Sequence, residues 1–321
     1  MVNISTDVIQ LHVSMLNDKT RTSSYLATIR KVVRPGDLVV DIGTGTGIFA
    51  MAAARAGARH VYAIEAGRIA RAARILFQAN GLVNRITLIR GLSTQIWLPE
   101  RADVLVSELI GDEPLAERVI GITQDALRRL LKPGARLLPS GIKIFGLPVT
   151  IPDQELSKHT FAPGTLQNLQ SWYNIDFAPL VKIVHRSFLN SLFGYFINPY
   201  TMRHWKTLSA PVLLADVDFK TWQGPWINTT KTVTSTASGQ LNGLLVYFEL
   251  QADSAPFFST HPEVVDESNH WLSPVRVFSK PIALQAGDRF DITYWYSMLR
   301  AVSGCEVYCS PRSRQVAMRE K

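Results

Sequence analysis

Short apolar runs alternate with helical patterns through the first half of the chain. The apolar runs predict β-strands near residues 38–42, 60–65, 85–90, 102–107 and 134–138. The segments between them, in which apolar positions recur with a helical spacing, predict helices near residues 47–56, 67–79 and 116–131. An N-terminal helical segment precedes them at residues 1–30. This alternation is typical of an α/β protein with a doubly wound parallel sheet.

After Gly146 the pattern changes to strands separated by turns, which predicts a second, β-rich part of the chain. One stretch there, about residues 172–208, has helical character and is rich in aromatic residues such as Phe188, Tyr195 and Phe196. An aromatic cluster ordinarily belongs to a core, whereas an exposed one indicates a surface that another subunit covers. Both interpretations remain open from the pattern alone.

A glycine-rich loop follows the first predicted strand and carries Gly43, Gly45 and Gly47. Glycines allow the backbone to approach a ligand closely, and the helix that begins after them presents unpaired N–H groups. Asp41 precedes this loop, and Glu65 ends the second strand at a place where an acid accepts hydrogen bonds from a ribose diol. The alternative interpretation is a tight strand-to-helix turn without a ligand.

The spacing of these glycines favours one class of nucleotide-like ligand. A dinucleotide-binding loop follows the pattern G-x-G-x-x-G. This chain has G-x-G-x-G instead, which resembles the loop of the methyltransferases that use S-adenosylmethionine (SAM). Because SAM has no pyrophosphate, the third glycine need not stand where a dinucleotide requires it.

Two glutamates, Glu108 and Glu117, lie nine positions apart in a loop that follows the apolar run of residues 102–106. The carboxyl ends of such strands are where α/β sheets bind ligands. A pair of carboxylates at this place can hold one cationic group, and a planar guanidinium suits paired hydrogen bonds. The alternative is that both glutamates are surface acids or lie in a first helical turn.

Three motifs resemble those of the protein arginine methyltransferases. Residues 12–25, His-Val-Ser-Met-Leu-Asn-Asp-Lys-Thr-Arg-Thr-Ser-Ser-Tyr, are similar to the family's N-terminal segment. The spacing of Glu108 and Glu117 is that of its double-glutamate loop, and residues 268–271, Ser-Asn-His-Trp, are similar to its Thr-His-Trp loop. The motifs occur in the family's order and are spread over most of the chain.

This resemblance implies a Rossmann-like SAM-binding domain followed by a β-barrel-like domain that carries a helical dimerisation arm. We therefore expect an N-terminal segment that closes over the cofactor at residues 1–30 and the cofactor domain at residues 31–142. The substrate domain is then expected at residues 143–321, with the arm at about residues 172–208. An arm of this kind implies a homodimer.

The resemblance also implies roles for individual residues. Arg21 is expected to pair with the SAM carboxylate, His270 to accept a proton, and Asp18 to orient His270. The remaining cofactor-binding residues are expected around the glycine loop, the two strand ends and the place of the family's adenine-contacting acid: Met15, Asp41, Gly43, Gly45, Gly47, Glu65, Ser93, Thr94 and Glu108. From the residues alone, His270 beside Trp271 also fits a buried core histidine, and His12 fits helix packing.

Composition limits the possible partners. The net charge of +8 indicates a basic surface, but no run of Lys and Arg exceeds two, so we interpret it as solvated and do not expect nucleic acid as a partner. Without an apolar run of about 18 residues or a signal segment, we expect no membrane span and a cytoplasmic location. Cys305 and Cys309 are expected to be reduced and to bind no metal.

These features predict an enzyme that transfers a methyl group from SAM to a guanidino nitrogen of arginine, in a protein or in a small molecule. One alternative is a SAM-dependent methyltransferase that acts on another small amine or on an oxygen nucleophile. The other is a SAM-binding module without transfer activity, which acts as an assembly partner.

Overall fold

The computed structural model describes residues 6–159, 163–180, 193–300 and 302–309. The chain forms two compact units. The first comprises the described residues of the range 1–143 together with residues 216–223 and 248–271. The second comprises the described residues of the ranges 144–215, 224–247 and 272–321. No helix among the described residues is both long enough and apolar enough to cross a membrane.

A parallel five-stranded sheet forms the centre of the first unit. Its strands are β1 (Leu38–Ile42), β2 (His60–Glu65), β3 (Ile86–Arg90), β4 (Ala102–Ser107) and β5 (Leu131–Leu138), in the spatial order β3-β2-β1-β4-β5. The helices of this unit are α1 (Thr6–Asn17), α2 (Lys19–Val32), α3 (Ile48–Arg55), α4 (Ala70–Ala79) and α5 (Val119–Arg129). The predicted strands and helices agree with these bounds within a few residues.

Burial explains why these segments form a parallel sheet. All five residues of β1 are buried, as in a strand that is covered on both faces. On α4, Ala70, Ala73 and Phe77 recur at helical spacing and form its buried side. Asp18 caps the start of α2, where its Oδ1 accepts a hydrogen bond from the Arg21 backbone N–H at 2.9 Å. The α/β prediction is confirmed.

The remaining strands form two antiparallel sheets. They are β6 (Gly141–Thr150), β7 (Phe193–Ile197), β8 (Lys206–Thr207), β9 (Val212–Asp218), β10 (Trp226–Thr234), β11 (Gly239–Ala252), β12 (Ala255–Ser259), β13 (Ser273–Leu284), β14 (Arg289–Ser297) and β15 (Val302–Cys309). One sheet has the order β7-β13-β11-β6-β8, with β12 on β11 and β9 on β6, and the other has the order β10-β14-β15. The β-rich second part is thus as expected, although the described strands do not close into a barrel.

The stretch predicted as a dimerisation arm differs from its expected structure where it is described. Helices α6 (Asp153–His159) and α7 (Pro163–Tyr173) begin before residue 172. The expected range 172–208 contains β7, in which Tyr195 is buried and Phe196 is exposed because successive side chains of a strand point to opposite faces. Residues 181–192, with Phe188 and Leu192 of the predicted aromatic cluster, lie outside the described residues.

The domain boundary also differs from the prediction of a single cut near residue 142. Residues 216–223 and 248–271 belong to the first unit, although they lie within the range 143–321 that is expected to form the second domain. Contacts distant in sequence cause this difference. The Trp271 ring packs against Phe248 and Phe258, with ring centroids 5.1 and 5.2 Å apart, and Ser140 and Gln251 are joined by a backbone hydrogen bond.

Candidate active site

The glycine-rich loop between β1 and α3 has the backbone conformation that its composition predicts. Gly43, Gly45 and Gly47 have φ angles of 73°, 55° and 85°, a region that side-chain-bearing residues rarely adopt. The N–H of Gly43 donates to the Ile64 carbonyl at 3.0 Å. The N–H of Gly45 donates to Glu65 Oε2 at 2.9 Å, so the acid that ends β2 holds this loop.

The second and third glycines serve different purposes. A Cβ on Gly45 would lie 3.0 Å from the His12 ring, beside the cavity described below. A Cβ on Gly47 would collide with the Phe77 ring of α4. Gly47, predicted to bind the cofactor, is therefore required in this structure for the packing of α4 against the start of α3, and it does not line the cavity.

Asp41 lies buried at the end of β1. Its Oδ2 accepts a hydrogen bond from Thr44 Oγ1 at 2.5 Å, and its Oδ1 has no partner among the described residues. Burial raises the pKa of Asp41 to about 7, and the negative charge of Glu65 adds to this rise. The Thr44 hydrogen bond and a weaker contact with the Ala50 backbone N–H oppose it. Asp41 thus supports the loop from below and retains an unused acceptor atom.

Helix α1 and the glycine loop enclose a small cavity of about 40 Å³. From α1, His12, Met15 and Leu16 line it, at a spacing that places them on one helix face. The rest of the lining comes from the loop, the start of α3 and two charged side chains: residues 43–46, Ile48, Phe49, Arg21 and Glu108.

Arg21 and Glu108 form a buried ion pair at this cavity. Arg21 Nη2 lies 2.6 Å from Glu108 Oε2, and the two side chains are 4% and 5% exposed. Arg21 Nη1 donates to the Met15 carbonyl at 2.9 Å, while its Nε has no partner among the described residues. The guanidinium carbon also lies over the rings of Phe49 and Trp271, at 5.6 and 5.5 Å from their centroids. The pair therefore retains an unsatisfied donor beside the cavity.

Glu117 stands in a loop with three further acids, Glu108, Asp112 and Glu113. Although Glu117 as a whole is exposed, its Oε1 turns inward and lies 3.4 Å from where a Cβ on Gly111 would stand. Burial of this carboxyl group raises the pKa of Glu117, and the negative charges of Glu108 and Asp112 raise it further. The loop thus concentrates negative charge at the carboxyl end of β4.

His270 and Asp18, 252 positions apart in the chain, are joined by a hydrogen bond of 2.9 Å between His270 Nδ1 and Asp18 Oδ2. The His270 backbone N–H donates to the same oxygen at 3.1 Å. Burial opposes the ionisation of Asp18, but the hydrogen bonds from the His270 ring and from the backbone N–H groups of Arg21 and His270 outweigh it and lower the pKa of Asp18. Asp18 therefore has two roles: it orients the imidazole of His270 and it caps the start of α2.

Trp271 joins the loop that carries His270 to the acidic loop. Its indole Nε1 donates to the Ile110 carbonyl at 2.7 Å, two residues after Glu108. Glu108 in turn accepts the Ile110 N–H on Oε1 at 3.2 Å. The histidine loop, the acidic loop and the start of α2 are thus held together through Trp271, Ile110 and Asp18.

The structure brings most of the predicted site residues to one region and leaves others apart. Met15, Arg21, Gly43, Gly45 and Glu108 line the cavity. Asp41 and Glu65 support the glycine loop, and Asp18 and His270 form the pair described above. Ser93 and Thr94 lie in a short 3₁₀-helix outside the cavity lining, where the Ser93 carbonyl accepts a hydrogen bond from Arg129 at 2.9 Å.

Several lining residues were not predicted as part of the site. His12 was interpreted as packing in a helix, yet it stands beside Gly45. Helical spacing would have identified His12 as a member of this face, because Met15 and Leu16 follow it by three and four positions. Thr44 and Thr46 alternate with the glycines, and Ile48 and Phe49 are the first residues after the loop. Their proximity to any bound ligand could therefore have been inferred from the glycine pattern.

The domain that contains the parallel sheet matches a known methyltransferase family. The model of the ribosomal protein L11 methyltransferase family (PrmA) matches residues 18–178, half of the chain. The parallel sheet, the glycine loop and the supporting acid therefore define a methyltransferase domain of the PrmA type.

Curated relatives of the chain are arginine methyltransferases. A probable histone-arginine methyltransferase 1.4 of Arabidopsis thaliana is 33% identical over 284 residues, which is 85% of this chain and 52% of the relative. A probable protein arginine N-methyltransferase 6.1 of Oryza sativa subsp. japonica is 26% identical over 305 residues, 91% of this chain and 73% of the relative. The chain belongs to the protein arginine N-methyltransferase family, as its motifs predict, although it spans about half the length of the first of these relatives.

Solved structures of the same family share the fold. A chain of the Trypanosoma brucei PRMT1 enzyme–prozyme complex with AdoHcy superimposes with a TM-score of 0.75 at 22% identity, covering 92% of this chain and 96% of that one. Arabidopsis thaliana protein arginine methyltransferase 10 superimposes with a TM-score of 0.70, also at 22% identity and with the same coverage. These similarities confirm the predicted fold class.

Proposed function

We propose that the protein transfers a methyl group from SAM to a guanidino nitrogen of arginine. The observation that carries this proposal is the cluster of Glu108, Asp112 and Glu117 at the carboxyl end of β4, beside a glycine-lined cavity that holds Arg21. Family membership supports the transfer of a methyl group, and the names of the relatives support arginine as the acceptor.

The residues around the cavity fit SAM in chemical type. The Nε of Arg21 is an unsatisfied cationic donor suited to the amino-acid carboxylate, and Asp41 Oδ1 is an unsatisfied acceptor below the glycine loop. Glu65, with its oxygens on the N–H groups of Gly45 and Gly67, is suited to a ribose diol. When bound, SAM supplies an electrophilic methyl group on a sulfonium centre.

The cavity itself is too small for this cofactor. Its volume of about 40 Å³ is close to the ~30 Å³ share of one water molecule in the liquid. Because His12, Met15 and Leu16 fill the space above the glycine loop, the cofactor requires α1 to move. Ile9, Leu11 and Val13 of the same helix are exposed, so little apolar burial opposes this movement. We therefore propose that α1 closes over the bound cofactor.

The acidic loop is suited to hold a planar cationic acceptor. Two carboxylates fix the plane of a guanidinium through paired hydrogen bonds and draw its charge toward the nitrogens they contact. Oε2 of Glu108 is already paired with Arg21, whereas the raised pKa of Glu117 indicates a carboxyl group that lacks a cation. A guanidinium between them would supply that cation. Each contact would bring at most about 4 kcal/mol before desolvation, so the loop contributes mainly geometry.

His270 is the proposed acceptor of the proton that the acceptor nitrogen loses. Asp18 holds its Nδ1, which directs Nε2 away from Asp18 and leaves it without a hydrogen bond to any described residue. Asp18 acts as a positioning residue. The pair reaches the acidic loop through Trp271 and Ile110.

Replacement of Glu117 by glutamine tests the proposal most directly. Glu117→Gln keeps the shape of the side chain and removes its charge, and we expect kcat/KM for an arginine-containing peptide to fall at least about 100-fold. The dissociation constant for S-adenosylhomocysteine should stay within a factor of two, because Glu117 does not line the cavity. Glu108→Gln should also abolish turnover, but it breaks the pair with Arg21 and can weaken cofactor binding as well.

Glu100→Gln is the matched control, because Glu100 is an exposed acid paired with Arg59 at 2.5 Å. It should leave turnover unchanged. Labelled SAM should be offered with histone, with free arginine and with amines that lack a guanidine. Label in amines alone would replace the proposal by a methyltransferase for another nucleophile. No label in any acceptor or in a cell extract would favour a binding module without transfer activity.

We further propose that the protein is a cytoplasmic homodimer. The segment of residues 163–180 supports self-association, because Trp172, Tyr173 and Ile175 are 66%, 59% and 54% exposed. Large exposed apolar side chains grouped in one segment are typical of a surface that another molecule covers. A cysteine content of two in 321 residues supports a reducing compartment.

A further inference from the structure

A second, larger hollow lies on the outside of the parallel sheet, between α4 and strand β3. This arginine groove has a volume of about 380 Å³ and is lined by Arg68, Arg71, Arg74 and Arg90, with Ala70, Ile75 and Leu88 between them. Strand β3 is the edge strand of the sheet, so the groove opens at the sheet's side. All its lining residues belong to the first unit.

Two simple periodicities and one turn bring the four arginines together. Arg71 and Arg74 lie three positions apart on α4, so their side chains share one helix face. Arg68 stands in the turn two residues before this helix begins, where its carbonyl accepts a hydrogen bond from the Arg71 N–H at 3.2 Å. Leu88 and Arg90 lie two positions apart on β3 and therefore point to the same face of the sheet. The exposed faces of a helix and of an edge strand thus converge on one hollow.

The arginines of this region have few acids near them in the chain. Residues 66–99 contain five arginines and neither aspartate nor glutamate. Across the part of the chain that the structure describes, no ion pair or side-chain hydrogen bond is formed by Arg68, Arg74 or Arg90. Other arginines of the same unit are paired, such as Arg59 with Glu100 and Arg136 with Asp37.

An ordinary solvated basic face does not account for this arrangement. Such faces usually intersperse both signs of charge, which limits repulsion between like charges. Here four guanidinium groups border one concave space, and none of its lining residues in the described part of the chain is an acid. Guanidinium groups bind phosphate oxygens in pairs of hydrogen bonds, and several of them around one hollow suit a ligand with more than one negative charge.

We propose that the arginine groove binds a small phosphate-bearing molecule with at least two phosphoryl groups, such as a nucleotide or an inorganic polyphosphate. The volume lies within the ~300–1,000 Å³ range of small-molecule sites. A nucleic-acid chain needs a longer basic track than this hollow provides. Ile75, which is 56% exposed, and half-buried Leu88 provide an apolar surface that a nucleobase could cover.

This site is distinct from the candidate active site, and the proposal does not depend on the proposed function. No residue lines both the arginine groove and the cavity beside α1. The two are nevertheless joined by a short segment, because Glu65, which holds the glycine loop through Gly45, is followed three positions later by Arg68. A ligand that binds Arg68 would therefore contact the chain three residues after Glu65, the residue that holds the glycine loop.

Calorimetric titration of the full chain with tripolyphosphate and with uridine triphosphate tests the proposal. Uridine serves as the probe without phosphate, and it avoids an adenosine group that the cofactor cavity could accept. We expect both phosphate-bearing probes to bind at low ionic strength, more weakly as salt is added, and uridine not to bind. Arg74→Gln and Arg90→Gln should each weaken tripolyphosphate binding about tenfold or more.

Arg30→Gln is the matched control, because Arg30 is an exposed arginine of α2 in the same unit and lies outside the groove. It should leave binding unchanged. Thermal unfolding without ligand should show that all three variants fold, since each arginine is exposed.

Tighter binding of uridine triphosphate than of tripolyphosphate would identify a nucleotide as the ligand, and equal binding would identify the polyphosphate group. The proposal is overturned if neither probe binds, if uridine binds equally well, or if Arg30→Gln weakens binding as much as Arg74→Gln. Binding of a single-stranded oligonucleotide or of polyglutamate in the absence of tripolyphosphate binding would also overturn it, and would reassign the groove to a macromolecular partner.

Discussion

At the scale of single residues, two carboxyl groups near the proposed site hold their protons to an unusually high pH. Asp41 is buried below the glycine loop, with a pKa of about 7, and Glu117 is surrounded by two other acids. In both cases burial is the first cause and neighbouring negative charge adds to it. Neither carboxyl group is paired with a cation among the described residues, which is consistent with a positively charged ligand binding there.

The first prediction concerns the stability of the free protein. The folded-state pKa of Asp41 lies above the unfolded value of about 3.9. The contribution of the protonated Asp41 carboxyl group to the free energy of unfolding is therefore fully present below about pH 4, and it is lost as the pH rises to about 7. Asp41→Asn removes this loss, and we expect it to raise the free energy of unfolding at pH 8 by on the order of 2 kcal/mol. Chemical denaturation between pH 4 and pH 8 measures the difference.

The difference in free energy of unfolding between Asp41→Asn and the natural protein should disappear toward pH 4, where Asp41 is protonated. Asp153→Asn, at an exposed position in the first turn of α6, is the control and should show no comparable change with pH. A gap of constant size across the pH range would contradict the raised pKa of Asp41.

The second prediction concerns the binding of the acceptor. Because the pKa of Glu117 is raised above the value of about 4.3 for an exposed glutamate, affinity for an arginine-containing peptide should increase as the pH rises through that raised pKa. The affinity should be lost as the pH falls through it, since a protonated carboxyl group cannot pair with a cation. Calorimetry from pH 5 to pH 8, with S-adenosylhomocysteine present, measures this dependence.

In Glu117→Gln the affinity for the peptide should be lower, and it should change little between pH 5 and pH 8. A pH dependence that survives in Glu117→Gln would assign the titrating group elsewhere. Since Glu108 is already paired with Arg21, Glu117 is the acid of the pair whose ionisation a new cation can change most.

At the scale of elements, the glycine loop joins β1 to α3 and at the same time seats α4. Gly47 lies at the start of α3 with a φ of 85°, and the Phe77 ring occupies the space that a side chain on Gly47 would need. The close approach of α4 therefore depends on the absence of a Cβ at one position. This constraint is structural and independent of any ligand.

The third prediction is that Gly47→Ala destabilises the protein by about 1–3 kcal/mol, because it combines a strained φ with a collision against Phe77. Gly121→Ala, at an exposed position in the first turn of α5 with open space around it, should instead stabilise by up to about 0.5–1 kcal/mol. Denaturant titration of both variants compares the two. Equal effects of the two substitutions would show that packing between α3 and α4 does not require this glycine.

At the scale of the whole molecule, the exposed apolar side chains of residues 163–180 make self-association the expected state. Burial of Trp172 and Ile175 against a second copy would contribute several kcal/mol before the entropy lost on association. Much of the remainder of the predicted arm lies outside the described residues.

The fourth prediction follows from this exposure. The double variant Trp172→Ser/Ile175→Ser should weaken dimerisation at least about tenfold, as measured by light scattering or sedimentation over a concentration series. Leu299→Ser is the control, because Leu299 is 75% exposed and lies outside the segment. A monomeric natural protein at all concentrations, or a double variant that dimerises normally, would contradict the proposed dimer.

Local sequence patterns were sufficient to predict the parallel sheet and the protein family. Strands β1 to β4 and the glycine loop follow from apolar runs and from spacings of a few residues, so they depend on interactions within single segments. The prediction of helical character was wrong at residues 193–197, where the apolar and aromatic segment Phe-Gly-Tyr-Phe-Ile forms strand β7. Short apolar segments of this kind satisfy both periodicities, and pairing with β13 decided between them.

The sequence by itself determined the class of fold, the glycine loop and the acidic loop, because each is specified by spacing within one short segment. Only the tertiary structure decided which distant residues meet. It joined Asp18 to His270, returned residues 248–271 to the first unit, placed His12 in the cavity and set four arginines around one groove. The physical reason is that these contacts depend on packing between elements far apart in the chain, which local periodicity does not specify.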